Sequence, residues 1–303
     1  MNDTKLHHVW EGPDVGLIFA KGDFIMTRPK IGLALSGGGA RGLAHIGVLK
    51  ILTSAGIPID CISGTSMGGL IAAAYASGIS VDVLEEEARR ITRMREMIKL
   101  VDVSSPTRGI VKGKQFQEYL TTLFPQEICI EELTTPLALV ATDLISAREV
   151  TLSSGPLLPA VLATTAFPGL FPPLEMDGCR LVDGGVLNNL PVRQVREMGA
   201  DIILAVDVQF NPLLELPWQE INMRPSWPFP FPDFFLDFYR AELMMVAKLT
   251  QAHLEQVKPE FYLHPSIPQD ITIFMGFART DEIIACGETS ALEVLPLLME
   301  KMR

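Results

Sequence analysis

The chain has 303 residues, a length that suits one large domain or two small ones. Its residues are 48% hydrophobic and 20% charged, a balance typical of globular proteins, which excludes disorder for most of the chain. Its 25 basic and 36 acidic residues give a net charge of −11. A field of this sign repels phosphate backbones, so nucleic acid is not an expected partner.

The cysteines and the long apolar runs bear on the compartment. The four cysteines lie far apart, and no two have the spacing of metal ligands: Cys61, Cys129, Cys179 and Cys286. Scattered cysteines of this kind are typical of a reducing compartment. The charge-free runs 61–81 and 150–174 contain glycines or prolines unsuited to a membrane span, and residues 1–29 lack the apolar core of a signal peptide. The sequence therefore predicts a cytoplasmic protein.

The first periodic region predicts alternating strands and helices. Residues 1–29 show no periodic pattern and are interpreted as an N-terminal extension. The elements that follow are a strand at 30–35, a helix at 40–54, a strand at 57–63 and a helix at 66–77. Short connections between alternating strands and helices predict a parallel α/β sheet, with ligand chemistry at the carboxyl ends of its strands.

The rest of the chain continues this pattern and then changes in composition. Further predicted elements are helices at 82–100, 114–124 and 157–165, strands at 136–143, 147–153 and 201–207, a helix at 234–257, a strand at 260–264 and a C-terminal helix. Residues 211–239 are rich in proline, tryptophan and phenylalanine and are too apolar for a solvated linker. We expect a core at 30–210, and a flap segment with C-terminal helices at 211–303 that packs on the same domain.

A glycine-rich loop, Gly37 to Gly42, joins the first strand to the first helix. Backbone N–H groups at a helix N-terminus bind anions, and glycines let the backbone approach a ligand closely. The loop also satisfies the G-x-G-x-x-G fingerprint of dinucleotide-binding proteins. However, the acid that this fingerprint requires belongs at the far end of the second strand, whereas Asp60 stands at its beginning.

A second motif, Gly64-Thr65-Ser66-Met67-Gly68, opens the second helix. This G-x-S-x-G pattern between a strand and a helix is typical of a nucleophile elbow, in which the next N–H helps to stabilise an oxyanion. The alternative is a serine that merely caps the helix. No histidine is well placed by sequence to serve as the base: His45 is expected to pack locally, and His253 and His264 sit in ordinary helix and strand-end positions.

A third motif, Asp183 to Pro191, follows the short apolar pair Leu181-Val182. Two glycines after the aspartate permit a tight turn that presents the carboxylate, and Asn188 and Asn189 can tie the loop to backbone groups. The alternative is a solvated Asp-Gly turn without a catalytic role.

These three motifs, GGGARG, GTSMG and DGGVLNNLP in this order, resemble those of the patatin-like phospholipases. Within that family the chain resembles the bacterial branch related to the catalytic domain of neuropathy target esterase. Supporting segments lie at 108–113 and 164–173, and the resemblance covers about 30–210. It implies an α/β fold of three layers, αβα, with a mainly parallel central sheet.

The resemblance also implies a site and a reaction, in which lipid carboxylic esters are hydrolysed by a Ser-Asp dyad without histidine, metal or cofactor. It makes Ser66 the nucleophile and Asp183 the base that also acts as an acid. It assigns the oxyanion hole to four residues: Gly37, Gly38, Gly39 and Ala40. Supporting residues are Arg41, Gly64, Gly68, Gly184 and Gly185. Arg41 either meets a lipid phosphate or braces the loop through backbone carbonyls, and the second interpretation is favoured.

Two other functions stay open at this point. One is a histidine-dependent α/β-hydrolase or acyltransferase that uses His253 or His264. The other is a Rossmann-type nucleotide-binding protein that uses the glycine loop alone. The aromatic segment 211–239 is expected to form a flap that contacts a lipid surface peripherally, with a cover for the core or a homo-oligomer contact as alternatives.

Overall fold

The protein is described from a computed structural model that defines 28–93, 112–124, 127–212, 233–273 and 276–303, with strands at 17–20 and 23–26. The side chains of 17–26 and 233–236 are outside this description. Within these ranges, the strands are β1 Leu17–Ala20, β2 Asp23–Met26, β3 Ile31–Leu35, β4 Cys61–Thr65, β5 Leu137–Asp143, β6 Arg148–Leu152, β7 Leu174–Met176, β8 Cys179–Asp183, β9 Ile202–Val206 and β10 Phe261–Leu263. The α-helices are α1 Ala44–Ser54, α2 Ser66–Ala76, α3 Val81–Ile91, α4 Lys114–Leu123, α5 Leu157–Thr164, α6 Val192–Glu197, α7 Asp233–Val257 and α8 Thr280–Lys301.

Eight of these strands form the central sheet, in the order β10-β9-β3-β4-β5-β8-β7, with β6 on the other edge of β5. The five strands from β10 to β5 are mutually parallel. The strands β8, β7 and β6 add antiparallel pairs next to β5. The two strands β1 and β2 pair only with each other within the described residues.

Helices cover both faces of the sheet, and the alternating residues of its inner strands explain why. In β3, Ile31, Leu33 and Leu35 belong to the large hydrophobic cluster that also contains residues of α1, α2 and α8. Ala34 faces the other side, in a smaller cluster with Val195 of α6. A strand buried on both faces is uniformly apolar, as β3 is. The predicted fold, three αβα layers around a mainly parallel sheet, is confirmed.

The region after residue 210 contributes to the same layers. The strand predicted at 260–264 is β10, which pairs in parallel with β9 at the edge of the sheet. The C-terminal helix α8 packs along α1, and the backbones approach so closely that a Cβ atom at Gly47 or Gly287 would overlap a carbonyl of the other helix. None of the helices in the described ranges combines the length and apolar character of a membrane-spanning segment.

The second strand begins later than its apolar pattern predicts. The prediction of 57–63 places the start at Ile57, whereas β4 begins at Cys61. The N–H of Ile57 instead bonds to the carbonyl of Leu52 and completes the end of α1, and Pro58 has no N–H to offer a ladder. The predicted helix 82–100 corresponds to α3, and its part after Arg93 lies outside the described residues.

Candidate active site

Ser66 stands on a sharp turn between β4 and α2. Its φ angle is 55°, in the left-handed region that residues other than glycine seldom adopt. Thr65 before it has an extended backbone. Such a strained position at a strand-to-helix turn is typical of a nucleophile elbow. The Ser66 side chain is half-buried, so a ligand can reach its hydroxyl group.

The glycines of this motif are needed for close packing. A Cβ atom at Gly64 would overlap the carbonyl of Gly68, and one at Gly68 would overlap the carbonyls of Leu35 and Ser36. The turn can therefore lie directly against β3, beside the glycine-rich loop that follows it.

Thr164, at the end of α5, supports the turn from the side. Its hydroxyl accepts a hydrogen bond from the N–H of Ser66 (3.0 Å) and donates one to the carbonyl of Val140 in β5 (2.6 Å). The side chain is fully buried. Thr164 thus fixes the backbone of Ser66 to the central strand of the site.

Asp183 is the last residue of β8, and its side chain is 2% exposed. One carboxylate oxygen, Oδ1, accepts the N–H of Gly185 (2.8 Å), whereas Oδ2 is buried without a hydrogen-bond partner in the described part of the chain. Burial raises the pKa of Asp183 to about 6, although the nearby Ser66 hydroxyl and the Gly185 N–H favour the ionised form. Ser66 and Asp183 are adjacent, but their groups do not form a well-aligned hydrogen bond here, as is common before a substrate binds.

The loop after Asp183 is built on close contacts. A Cβ atom at Gly184 would overlap the carbonyl of Val140, so this glycine lets the loop pass tightly over β5. Gly185 lies next to the Asp183 carboxylate that its N–H holds. Farther along the loop, the carbonyl of Asn188 accepts the Thr65 hydroxyl (3.0 Å). The aspartate loop is therefore anchored to the strand that leads to Ser66.

Asn189 joins the aspartate loop to the glycine-rich loop. Its carbonyl accepts the N–H of Gly37 (3.1 Å), and its side-chain amide donates to the carbonyl of Gly37 (3.3 Å). A Cβ atom at Gly37 would lie 2.9 Å from the Cβ of Ser66, so the absence of a side chain lets the two loops lie this close. The three sequence motifs thus converge on one place.

The N–H groups of the glycine-rich loop are not equally available to a ligand. That of Gly37 is used by Asn189, and that of Ala40 donates to the carbonyl of Ile273 (3.3 Å). Those of Gly38 and Gly39 take part in none of the hydrogen bonds within the described ranges. The four-residue oxyanion hole expected from the resemblance therefore has two N–H groups that are engaged and two without a partner in the described part of the chain.

Arg41 is buried in the protein and braces the loop. Its Nε donates to the carbonyl of Val208 (2.6 Å), and its Nη1 donates to the carbonyls of Pro268 (3.4 Å) and Ile271 (3.1 Å). The side chain is 1% exposed. These contacts match the favoured interpretation, in which Arg41 holds the loop through backbone carbonyls.

Comparison with protein-family models matches 33–196 to the family described as patatin-like phospholipase. This match spans more than half of the 303-residue chain and all three motifs. The chain belongs to the patatin-like phospholipase family. The family expected from the sequence is confirmed.

Several curated patatin-like proteins are similar to this chain. An uncharacterized NTE family protein of Mycobacterium tuberculosis is 35% identical over 201 residues, which are 66% of this chain and 55% of that protein. Patatin-like phospholipase domain-containing protein 6 of Mus musculus is 36% identical over 94% of this chain and 22% of its own length. Lysophospholipase NTE1 of Coccidioides immitis is 33% identical over 92% of this chain and 18% of its own length. The chain thus spans about half or less of these relatives.

A search of solved structures finds VipD from Legionella pneumophila. It is 16% identical to this chain, with a TM-score of 0.47 over 90% of this chain and 68% of that one.

The contacts of the histidines bear on the histidine-dependent alternative. His45 is fully buried with Nε2 against the carbonyl of Ser36 (2.8 Å), and burial lowers its pKa to about 4. His264 places Nδ1 against the carbonyl of Asp207 (2.9 Å), and His253 lies among the charges of Glu149 and Arg193. Within the described ranges, the polar contacts of Ser66 are with Thr164 and Asp183. None of the three described histidines therefore makes a polar contact with Ser66.

The contacts of Asp60 bear on the nucleotide-binding alternative. Its carboxylate forms a bidentate ion pair with Arg28 (2.7 Å) and accepts the N–H of Ile31 (2.7 Å). These groups lie at the amino ends of β3 and β4, whereas the glycine-rich loop lies at the carboxyl end of β3. Asp60 therefore has a structural role in joining the strand starts.

Two residues near the site were not singled out from the sequence. Thr164 opens the segment 164–173 that supports the family resemblance, but its bond to Ser66 has no local sequence signal. Glu242 lies in α7, about 60 positions after Asp183, and burial together with the charge of Asp183 raises the pKa of its carboxyl group to about 7. The supporting segment 108–113 lies mostly outside the described residues.

Proposed function

We propose that the protein is a serine acyl hydrolase that cleaves carboxylic ester bonds of lipids, with Ser66 as nucleophile and Asp183 as base. The observation that carries this proposal is the strained, half-buried Ser66 beside a fully buried carboxylate with a free oxygen. Most buried polar atoms in proteins have a hydrogen-bond partner, so the free oxygen of a buried carboxylate beside Ser66 supports a functional role for Asp183.

The reaction follows from these positions. Oγ of Ser66 attacks the ester carbonyl carbon as its proton passes to Asp183, so that a bond forms between Oγ and the acyl carbon. The carbonyl oxygen becomes an oxyanion, which the N–H groups of Gly38, Gly39 and Met67 stabilise. The bond to the alcohol oxygen then breaks, and Asp183 returns the proton to the leaving alcohol. Water hydrolyses the acyl-enzyme with the same pair of residues.

The environment of Asp183 makes it a usable base. An ordinary aspartate has a pKa of about 3.9 and is a weak proton acceptor. Burial raises the pKa of Asp183 to about 6, closer to neutral pH, where general-base catalysis is more efficient. An alcohol leaving group also needs less assistance from an acid than an amine does.

We propose phospholipids and lysophospholipids as the substrate class. The family and the printed name of the Coccidioides immitis relative, a lysophospholipase, support this class. The −11 net charge disfavours electrostatic binding to anionic bilayers, so contact with a lipid surface would be hydrophobic and peripheral. We place such a protein in the cytoplasm, in agreement with its four free cysteines.

We propose α7 as part of the peripheral lipid contact expected of 211–239. On this helix Phe238, Met245 and Leu249 are spaced by seven and four residues and are all exposed, Phe238 by 64%. Residues 213–232 of the aromatic segment lie outside the described residues. Replacing Phe238 and Met245 with serine should lower activity on phosphatidylcholine vesicles while sparing p-nitrophenyl butyrate. Met244→Ser, on another side of the helix, is the matched control. Equal loss on both substrates, or dissociation of an oligomer, contradicts the proposal.

The dyad is tested by activity of Ser66→Ala and Asp183→Asn on p-nitrophenyl esters, phospholipids and lysophospholipids in the presence of EDTA. Each variant should lose activity by orders of magnitude, because a nucleophile and its base act as a unit. A fluorophosphonate probe should label the wild type and not Ser66→Ala.

Matched controls are available on the same elements. Ser77→Ala changes a serine at the end of α2, and Asp177→Asn changes an exposed aspartate in the hairpin that leads to Asp183. Both should retain full activity. Near-normal turnover of folded Asp183→Asn, with loss in His253→Ala or His264→Ala, would favour the histidine-dependent alternative.

A further inference from the structure

The carboxyl ends of β3 and β9 meet at the start of the glycine-rich loop. Leu35 and Val206 are paired in register, and the next residues along the two strands are Ser36 and Asp207. Ser36 immediately precedes Gly37, and its N–H donates to the carbonyl of Val206 (3.0 Å). Ser36 and Asp207 are both buried. The glycine-rich loop therefore begins against the turn that leaves β9.

Val208, the second residue of that turn, holds the glycine-rich loop at both ends. Its N–H donates to Oγ of Ser36 (2.9 Å), and its carbonyl accepts Nε of Arg41 (2.6 Å). Its buried side chain also packs against the loop, because a Cβ atom at Gly38 would lie 2.9 Å from its Cγ2. A displacement of the Val208 backbone would therefore displace the N–H groups of Gly38 and Gly39.

The carboxylate of Asp207 fixes the turn that contains Val208. Oδ1 accepts the N–H of Gln209 (3.1 Å), so the carboxylate bridges the backbone across Val208 in an Asx turn. Oδ2 accepts the hydroxyl of Tyr262 in β10 (3.1 Å), and the N–H of Asp207 donates to the carbonyl of Leu263 (2.9 Å). The turn is thus held to itself and to the edge strand of the sheet.

We propose that Asp207 is a positioning residue for the oxyanion hole. Its carboxylate fixes the turn at Val208, and this turn fixes the N–H groups of Gly38 and Gly39. This inference rests on the proposed function. Glycines have no side chains to hold them, so the loop depends on hydrogen bonds from neighbouring segments. Because an oxyanion needs donors at about 3 Å, a displacement of about 1 Å is enough to lower the rate about 100-fold.

The experiment compares Asp207→Ala and Asp207→Asn with Asp143→Ala. Asparagine keeps a side-chain oxygen for the N–H of Gln209, so Asp207→Asn should preserve the turn. Asp143 is the matched control, because it has the same 3% exposure as Asp207 and also ends a strand. Its carboxylate holds a similar turn by accepting the N–H groups of Ile145 (3.1 Å) and Ser146 (3.0 Å). None of its hydrogen bonds in the described ranges reaches the glycine-rich loop.

Two quantities are measured for each folded variant. The first is kcat and KM for p-nitrophenyl butyrate, and the second is the Ki of a trifluoromethyl ketone, whose adduct with Ser66 carries an oxyanion. Asp207→Ala should lose about tenfold or more in kcat and raise Ki by the same factor, with KM within about twofold. Asp207→Asn should stay within about threefold of the wild type. Asp143→Ala should lose stability and keep both kcat and Ki. A merely structural role for Asp207 would lower the folded fraction and leave Ki unchanged.

Each outcome decides the inference. A Ki of Asp207→Ala within about twofold of Asp143→Ala overturns it, and so does an Asp207→Asn as impaired as Asp207→Ala. If Asp207→Ala does not fold, Ser36→Ala is measured instead, because it removes the oxygen that accepts the Val208 N–H. A raised Ki then supports the inference, and an unchanged Ki overturns it. The proposed function fails separately, when the wild type shows no hydrolysis that depends on Ser66 and Asp183.

Discussion

Thr65 and Asp183 are paired with consecutive residues of one strand, Val140 and Ala141 of β5. The strand β4 runs parallel to β5 and reaches it with Thr65, whereas β8 runs antiparallel and arrives with Asp183. Because β6 occupies the opposite edge of β5 along 139–143, β4 and β8 share the same edge of β5, and their carboxyl ends meet there. Ser66 follows Thr65 directly, so backbone pairing in the sheet brings it beside Asp183. A site held by strands is positioned more accurately than one held by loops.

The pH dependence of activity should report the burial of Asp183. Since the carboxylate must be ionised to accept the Ser66 proton and its pKa is raised to about 6, kcat/KM should fall as pH decreases through about 6. The measurement is the rate of p-nitrophenyl butyrate hydrolysis between pH 4 and 9, with recovery of activity at neutral pH as the control for unfolding. A limb near pH 4 would indicate an ordinary, solvated aspartate and contradict this prediction.

Asp183→Asn should stabilise the fold at neutral and alkaline pH. Because the folded-state pKa of Asp183 lies above the unfolded value, its ionised form costs stability above about pH 6, and this cost vanishes below the unfolded value of about 4. The free energy of unfolding should rise by on the order of 1–3 kcal/mol at pH 8 and be unchanged at pH 4. Urea denaturation at both pH values measures the difference. The matched variant Asp177→Asn should show no such dependence, and a destabilised Asp183→Asn at pH 8 contradicts the prediction.

Thr164→Val should lower both the activity and the stability of the protein. Valine keeps the shape of threonine but loses the bonds to the N–H of Ser66 and the carbonyl of Val140, so Ser66 is less firmly held. We expect about a tenfold or greater loss of kcat and about 1–3 kcal/mol of unfolding free energy, since buried backbone groups lose their partner. Thr165→Val is the control, because the Thr165 hydroxyl donates to carbonyls of α5, those of Val161 and Leu162, and not to Ser66 or Val140. Thr164→Ser should restore most of the activity. Equal effects at both positions would show that the Ser66 contact is unimportant.

Much of the catalytic region is predictable because its signals are local. Glycines at 37–39, the G-x-S-x-G pattern and the Asp-Gly-Gly turn each mark a backbone conformation that neighbouring residues determine. The parallel order of β3, β4 and β9 follows from short apolar runs buried on both faces. The hairpin of β7 and β8 turns at Asp177 and Gly178, both with positive φ, so this Asp-Gly pair is a local signal for the strand that carries Asp183.

The expectation that the two asparagines tie their loop to backbone groups is confirmed for Asn189, whose amide donates to the carbonyl of Gly37. It is wrong for Asn188, whose amide donates to the side chain of Gln194.

Other features depend on packing between distant segments. The effect of the Asp183 charge on the pKa of Glu242 has no local sequence signal, because it depends on how α7 lies against the sheet. In the glycine-rich loop, the N–H of Ala40 is engaged whereas that of Gly39 is not, and this difference likewise depends on Ile273, more than 230 positions after Gly39. These contacts are fixed by the tertiary fold and not by local pattern.

The glycine-rich loop provides the last prediction, that Gly39→Ala inactivates the enzyme. Gly39 has a φ of 54°, and a Cβ atom there would overlap the carbonyl of Ile273, which also accepts the N–H of Ala40. The added methyl group must push the loop away from Ile273 and displace the N–H groups proposed to stabilise the oxyanion.

The matched control for this prediction is Gly56→Ala. Gly56 also has a positive φ, 67°, but nothing lies within 4 Å of a Cβ atom built there. Both substitutions carry the same backbone penalty of about 1–2 kcal/mol, so any further effect at position 39 comes from the overlap with Ile273. Gly56→Ala should lose stability and keep its kcat. Gly39→Ala should lose about 100-fold or more in kcat and in its rate of fluorophosphonate labelling, the effect of misplacing an oxyanion donor. Circular dichroism confirms that both variants fold, and a kcat of Gly39→Ala within about twofold of Gly56→Ala would exclude this loop as the oxyanion hole.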